Sequence, residues 1–304
     1  MKRNIVKHGP STLTISLPAK WVKENNLHPG SNLDVDEKGS QLILNSKKED
    51  DFLKLSIDIK DNKRTGIRYI NCAYRKGCDE LTIFYNDSDY LKSIEKCLSE
   101  EVLGFEIIKQ GKNSNNFFCV IRDIPGTKFD EFNTVFERAW IILISMSEDL
   151  ISAIENNDKK SLESFSSLDK RMNKFTNFCI RVLNKRGHPL YKNIPVYYRF
   201  LRCLEELADN YKNLALEIID NNLKPTKESV EIMKKLDESL KLLYKSFYKF
   251  SDENIEKILA DTKSRVLIIE NNKKDVLINN FLLSINTKIR NMTSANIEMN
   301  ILNN

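Results

Sequence analysis

The sequence predicts a multidomain α+β protein with a small β-rich head, an α/β middle and an all-α tail. Three observations carry this. Over residues 1–46 polar and apolar side chains alternate with the period of a strand, and over 52–123 strand and helix periods mix. Beyond "PGT" at Pro125–Thr127 the pattern is helical throughout. The domains are therefore expected at 1–48, 50–124 and 127–304.

A chain of 304 residues is long enough for two or three cores. Nine glycines argue against glycine-rich nucleotide loops and against a turn-dense all-β sandwich. The net charge of +5 compels no nucleic-acid partner, but its distribution is uneven. Residues 1–33 hold Lys2, Arg3, Lys7, Lys20 and Lys23 against Glu24 alone, so +4 of the excess lies there. The six cysteines, Cys72, Cys78, Cys97, Cys119, Cys179 and Cys203, form no CxxC pair and fall in apolar runs such as "FFCVI". They are expected to be buried free thiols in a reducing cytosol. No run reaches the ~18 apolar residues of a membrane span, and no charged-then-apolar leader precedes the first strand. The expectation is a soluble, cytoplasmic protein without membrane insertion.

In chain order, "LTISL" places Leu13, Ile15 and Leu17 on one face and Thr14 and Ser16 on the other. "PAKWVKENN" reads as one short helix, and "SNLDVDEKGSQLILN" as two strands joined at Lys38-Gly39. "SKKEDD" reads as a linker. The middle block follows as β-α-β-α-β-β. Its first helix is stopped by Gly77, and its second has Ser88 as N-cap and Gly104 beyond its end. Six tail helices are expected at about 129–156, 159–186, 195–221, 226–250, 252–271 and 274–301. Steps of three and four define their seams: Phe165, Leu168, Met172, Phe175, Cys179, Val182 on the second, Tyr197 to Ile218 on the third, and Met233 to Phe250 on the fourth. A 3+3 arrangement of antiparallel helices follows.

Two resemblances add to this. "KHGPSTLTISLPAKWVKENNLHPGSNLDV" resembles the AbrB-like (SpoVT/AbrB) swapped-hairpin DNA-binding domain. The helical block looks like a PhoU-type phosphate-uptake regulator, through "FLRCLEELADNYKNLALEI" and the preceding "LESFSSLDKRMNKF". Together they resemble archaeal phosphate-regulator-type transcription factors. The head resemblance implies a homodimer through residues 1–48 that binds duplex DNA. Arg3, Lys7, Lys20 and Lys23 are its expected phosphate contacts, with Ser11 and Thr12 as polar ones. The alternative for the lysines is a solvated face. His8 could touch DNA or be incidental, Trp21 is the expected dimer anchor, and His28 and His188 have no role.

PhoU-type proteins carry E/D-xxx-D pairs that bind metal on the bundle, since carboxylates at i and i+4 share a helix face. Glu205 and Asp209 match that pair, with Asp169 opposite them, where Asn173 replaces the second acid. These three residues form one candidate site for a divalent or iron-type cation; the alternative is an ion-paired helix surface. The second half departs further, with Asp261 followed by Arg265, so no second cluster is expected. No GxSxG, Walker loop, HExxH or cysteine–histidine set is present, and no enzyme is expected. The leading expectation is a phosphate-linked transcriptional regulator. An adaptor touching a phosphate transporter or sensor kinase, and a metal-binding bundle, are the alternatives.

Overall fold

Short alternating segments interrupted by Gly9, Pro18 and Gly30 can form only small hairpins, and these make the head. The computed structural model describes residues 2–38, 41–46, 52–59, 63–113, 116–125, 131–187 and 193–301. They fall into two compact units, 1–51 and 52–304. The first contains β1 (Ile5–His8), β2 (Thr12–Ile15), α1 (Ala19–Glu24), β3 (Asp34–Lys38) and β4 (Gln41–Asn45), as two separate antiparallel pairs. Gly39, most of the expected linker, Gly126, Thr127 and His188 lie outside the described residues.

The second unit opens with β5 (Lys54–Asp58), α2 (Lys63–Arg75), β6 (Glu80–Tyr85), α3 (Asp89–Glu101), β7 (Phe105–Lys112) and β8 (Phe117–Asp123). The sheet order is β5-β6-β8-β7, with β5 and β6 parallel and the other neighbours antiparallel. α2 is the crossover that a parallel pair requires. Residues of β6 alternate between half-buried and buried, and Leu81, Ile83 and Tyr85 join Ile70, Tyr74 and Ile94 in one core. Gly77 ends α2 in the left-handed region (φ 88°), as its position implied. Ser88 does not cap α3 through its side chain. Asp87 does so instead, its Oδ1 accepting from the Asp89 N–H at 2.9 Å.

The helical part comprises α4 (Phe132–Glu155), α5 (Lys159–Glu163), α6 (Phe165–Arg186), α7 (Ile194–Asp220), α8 (Lys227–Tyr248), α9 (Asp252–Asn271) and α10 (Val276–Asn300). The helix expected at 159–186 is thus two. Ser164 Oγ and Ser167 Oγ donate back to the carbonyls of Ser161 and Ser164, which breaks the regular ladder there. The expected seams face one core, with Met172, Cys179, Leu204, Leu207, Leu236 and Leu240 buried. Phe250 falls beyond the end of α8.

α2 and α3 both pack against α6, and a fully buried arginine fastens this contact. Arg181 Nη1 donates to the carbonyls of Tyr74 (2.9 Å) and Cys78 (2.7 Å), and Nη2 donates to Asp123 (2.8 Å) and Asp79 (3.4 Å). Its guanidinium also lies over Tyr74 and Phe105, 4.9 and 5.2 Å from the ring centres. Lys185 pairs with Asp79 from the same helix face. Five cysteines are buried and free; Cys72 is also free but is exposed on α2, against expectation, because it lies on the outer face of that helix.

Candidate nucleic-acid interface

The β1–β2 hairpin turns at Gly9, whose φ of 78° suits a residue without a Cβ. Register pairs Ile5 with Ile15, Val6 with Thr14, Lys7 with Leu13 and His8 with Thr12. Alternation then divides the ribbon into one face of Ile5, Lys7, Leu13 and Ile15 and another of Val6, His8, Thr12 and Thr14. Thr14 Oγ1 donates to the Val6 carbonyl at 3.2 Å. Pro18 opens α1 without a side-chain cap, and Asn25 closes it, its Nδ2 donating to the Trp21 carbonyl at 2.8 Å. Ser46 Oγ donates to Asn25 Oδ1 at 2.6 Å, tying the end of α1 to the chain after β4.

No described side chain of this unit is buried. Ile5, Leu13 and Leu42 are 68%, 67% and 66% exposed, and Val6, Ile15 and Val35 are also open to solvent. About 45 residues bury too little area to stand alone.

The six expected DNA contacts are all exposed, but they do not share one surface. Lys7 sits on the apolar face of the hairpin, across from Leu13 and next to Ile5 along its own strand, whereas Thr12 sits on the opposite face across from His8. Ser11 lies in the turn and Arg3 precedes β1. Lys20 and Lys23 stand on α1, where Lys20 makes a loose i,i+4 pair with Glu24 at 3.8 Å. Such an exposed pair holds little energy and leaves the ammonium available to a phosphate. Trp21 is half-buried against its own chain.

Residues 6–52 match the family described as antidote-toxin recognition MazE, bacterial antitoxin. That match supports an N-terminal swapped-hairpin domain of MazE/AbrB-like type. No curated protein and no solved structure matches the chain. Among the described residues no helix is long and apolar enough to cross a membrane.

On the helical part, the structure brings Asp169 (α6) and Asp209 (α7) together around an ammonium. Lys212 Nζ donates to Asp169 Oδ2 at 2.9 Å and to Asp209 Oδ1 at 2.5 Å. Glu205 pairs instead with Arg202 at 3.2 Å. The residues expected to ligate a cation do not fit one, since a lysine already fills the gap. Among the described residues no three His, Cys, Asp or Glu side chains gather as ligands. Arg265, expected to repel a cation or pair with Asp261, is fully buried. It donates to Asn286 Oδ1 (2.9 Å) and Ser239 Oγ (2.9 Å), with Asp261 no nearer than 4.0 Å.

Burial pushes the Asp169 carboxyl above its ordinary value against the bond from Lys212, and Asp209 adds to the rise. Glu101 of α3 is raised by burial and then by Asp169, and Glu205 is raised chiefly by burial. Lys212 is pulled down by burial, but its bonds to Asp209 and Asp169 outweigh this and raise it. Sequence reading missed Glu101 and Lys212. Lys212 stands three residues after Asp209, a signal that was present, whereas Glu101 arrives from a separate layer.

Proposed function

We propose that this chain is a DNA-binding transcriptional regulator linked to phosphate uptake, working without an enzymatic step. Its head grips duplex DNA as a dimer, and its helical tail receives a signal or a partner and shifts the head's affinity. The observation that carries the reading is the head: a MazE/AbrB-like domain with Arg3, Lys7, Lys20 and Lys23 exposed and with no buried side chain among its described residues. The phosphate link is supported by the PhoU-type resemblance of "FLRCLEELADNYKNLALEI", which lies in α7. A second reading, an antidote that neutralises a toxin, is favoured by the family that the head matches.

Fluorescence anisotropy of the full chain on duplexes selected from a random pool tests this. Log affinity should fall linearly with log salt, by about 0.9 per phosphate neutralised. The Lys7→Ala/Lys20→Ala/Lys23→Ala variant should lose about one unit of that slope per lysine. Inorganic phosphate should change the affinity for the selected duplex. A dimer with no duplex binding would leave the adaptor reading. Rescue of cells from a toxic partner without duplex binding would leave the antidote reading.

A further inference from the structure

We infer that one end of the helical region is a binding site for a small aliphatic monocarboxylate. The inference does not depend on the DNA-binding reading. Two turns build the site, residues 156–158 between α4 and α5 and residues 221–226 between α7 and α8. Each carries an asparagine in the left-handed region, Asn157 at φ 53° and Asn222 at φ 48°. Asparagine is among the few L-residues that adopt this conformation readily. The turns are held side by side by Lys159 Nζ, which donates to Asn222 Oδ1 at 2.9 Å.

Between them lies a cavity of about 300 Å³. Its floor is apolar, with Leu162 and Ile218 buried and Ile154 and Leu223 half-buried. Its rim holds Asn157, Lys159, Asn222 and Lys224, and no carboxylate lines it. The nearby acids are largely committed elsewhere. Asp158 accepts from Ser161 N and Oγ with its two oxygens, and Glu155 is paired with Lys234 at 2.6 Å. Asp275 is buried and accepts from Thr226 and Ser229. Asp220 is exposed but does not line the cavity. Lys159 keeps two N–H donors beyond the one given to Asn222, and Lys224 makes no ion pair among the described residues.

The chemistry of the occupant follows from that lining. Two ammonium groups favour an anion and exclude an amine, because a bound cation would face like charge. The apolar floor is wasted on inorganic phosphate, which would leave it wet, and rewards a short hydrocarbon body. The volume stands at the low end for small-molecule pockets, so the ligand is small. An aliphatic monocarboxylate satisfies all three conditions.

Isothermal titration calorimetry of the full chain with sodium hexanoate is the test, with hexanol and inorganic phosphate as controls. One hexanoate should bind per chain. Hexanol should bind about tenfold or more weakly, since it lacks the charge-assisted hydrogen bonds to the lysines. Lys159→Ala/Lys224→Ala should weaken hexanoate by about tenfold or more, with circular dichroism unchanged. Leu223→Ser should weaken it through the floor. Absence of a hexanoate signal, equal binding of hexanol, equal binding by phosphate, or full binding by the folded double variant would each overturn the site. Should the double variant misfold, the hexanol and phosphate comparisons on the unmodified chain decide it.

Discussion

Asp169 shows how a single residue's neighbours decide its chemistry. Facing it are Glu101 from α3 and Glu205, Asp209 and Lys212 from α7. Acids outnumber cations, and Asp169, Glu101 and Glu205 hold protons more tightly folded than unfolded. The folded state therefore binds more protons, and this cluster adds stability as pH falls from neutrality toward the ordinary values of 3.8 and 4.5. Lys212 works at the other end of the scale: its contribution is complete below the ordinary 10.5 and is lost as pH rises through its raised value. Asp169→Asn should remove part of the mild-acid gain. The readout is the difference in urea midpoint between variant and unmodified chain across that window, and parallel profiles would refute it. The i,i+4 spacing made Glu205 and Asp209 legible. That Lys212 reaches across to α6 was not legible, because it depends on helix rotation rather than spacing.

Among the elements, three helix ends share one closure. Glu24-Asn25-Asn26, Glu155-Asn156-Asn157 and Asp220-Asn221-Asn222 all close a helix with the second asparagine left-handed, at φ 51°, 53° and 48°. Gly104 plays the corresponding part between α3 and β7, with φ 77°. A Cβ there would lie 2.9 Å from Pro125 Cγ and 3.2 Å from Asp123 Oδ1. Asp123 is a partner of Arg181, so displacement would reach the buried ion pair. Gly104→Ala is expected to cost about 1–3 kcal/mol, measured by chemical denaturation. A midpoint equal to that of the unmodified chain would show that the loop adapts freely. The break at Ser164 was less readable, since the apolar seam runs through it without losing phase.

For the whole molecule, the contrast between the two units is the main fact. Residues 52–304 bury two cores of their own, whereas the head buries no described side chain. On the proposed reading a second copy would cover the exposed Ile5, Leu13 and Ile15. Leu13→Glu in the full chain should convert a dimer into a monomer by sedimentation velocity and abolish duplex binding. The thermal transition of the helical part should persist. A variant that stays dimeric would place the association elsewhere.

Period, breakers and charge placement determined most of the element order and the head's cationic bias, and one contiguous motif carried its AbrB-like resemblance, because these depend on residues close in the chain. Tertiary structure alone decided that Lys7 and Thr12 lie on opposite faces and that a lysine stands between two aspartates. It alone also set Arg181 between two layers, joined to Asp79 and Asp123. Apart from the local Lys212–Asp209 pair, these are contacts between residues roughly 40 to 100 positions apart, or faces set by strand register. Local spacing carries no record of such distances, and only the packing of one element on another sets them.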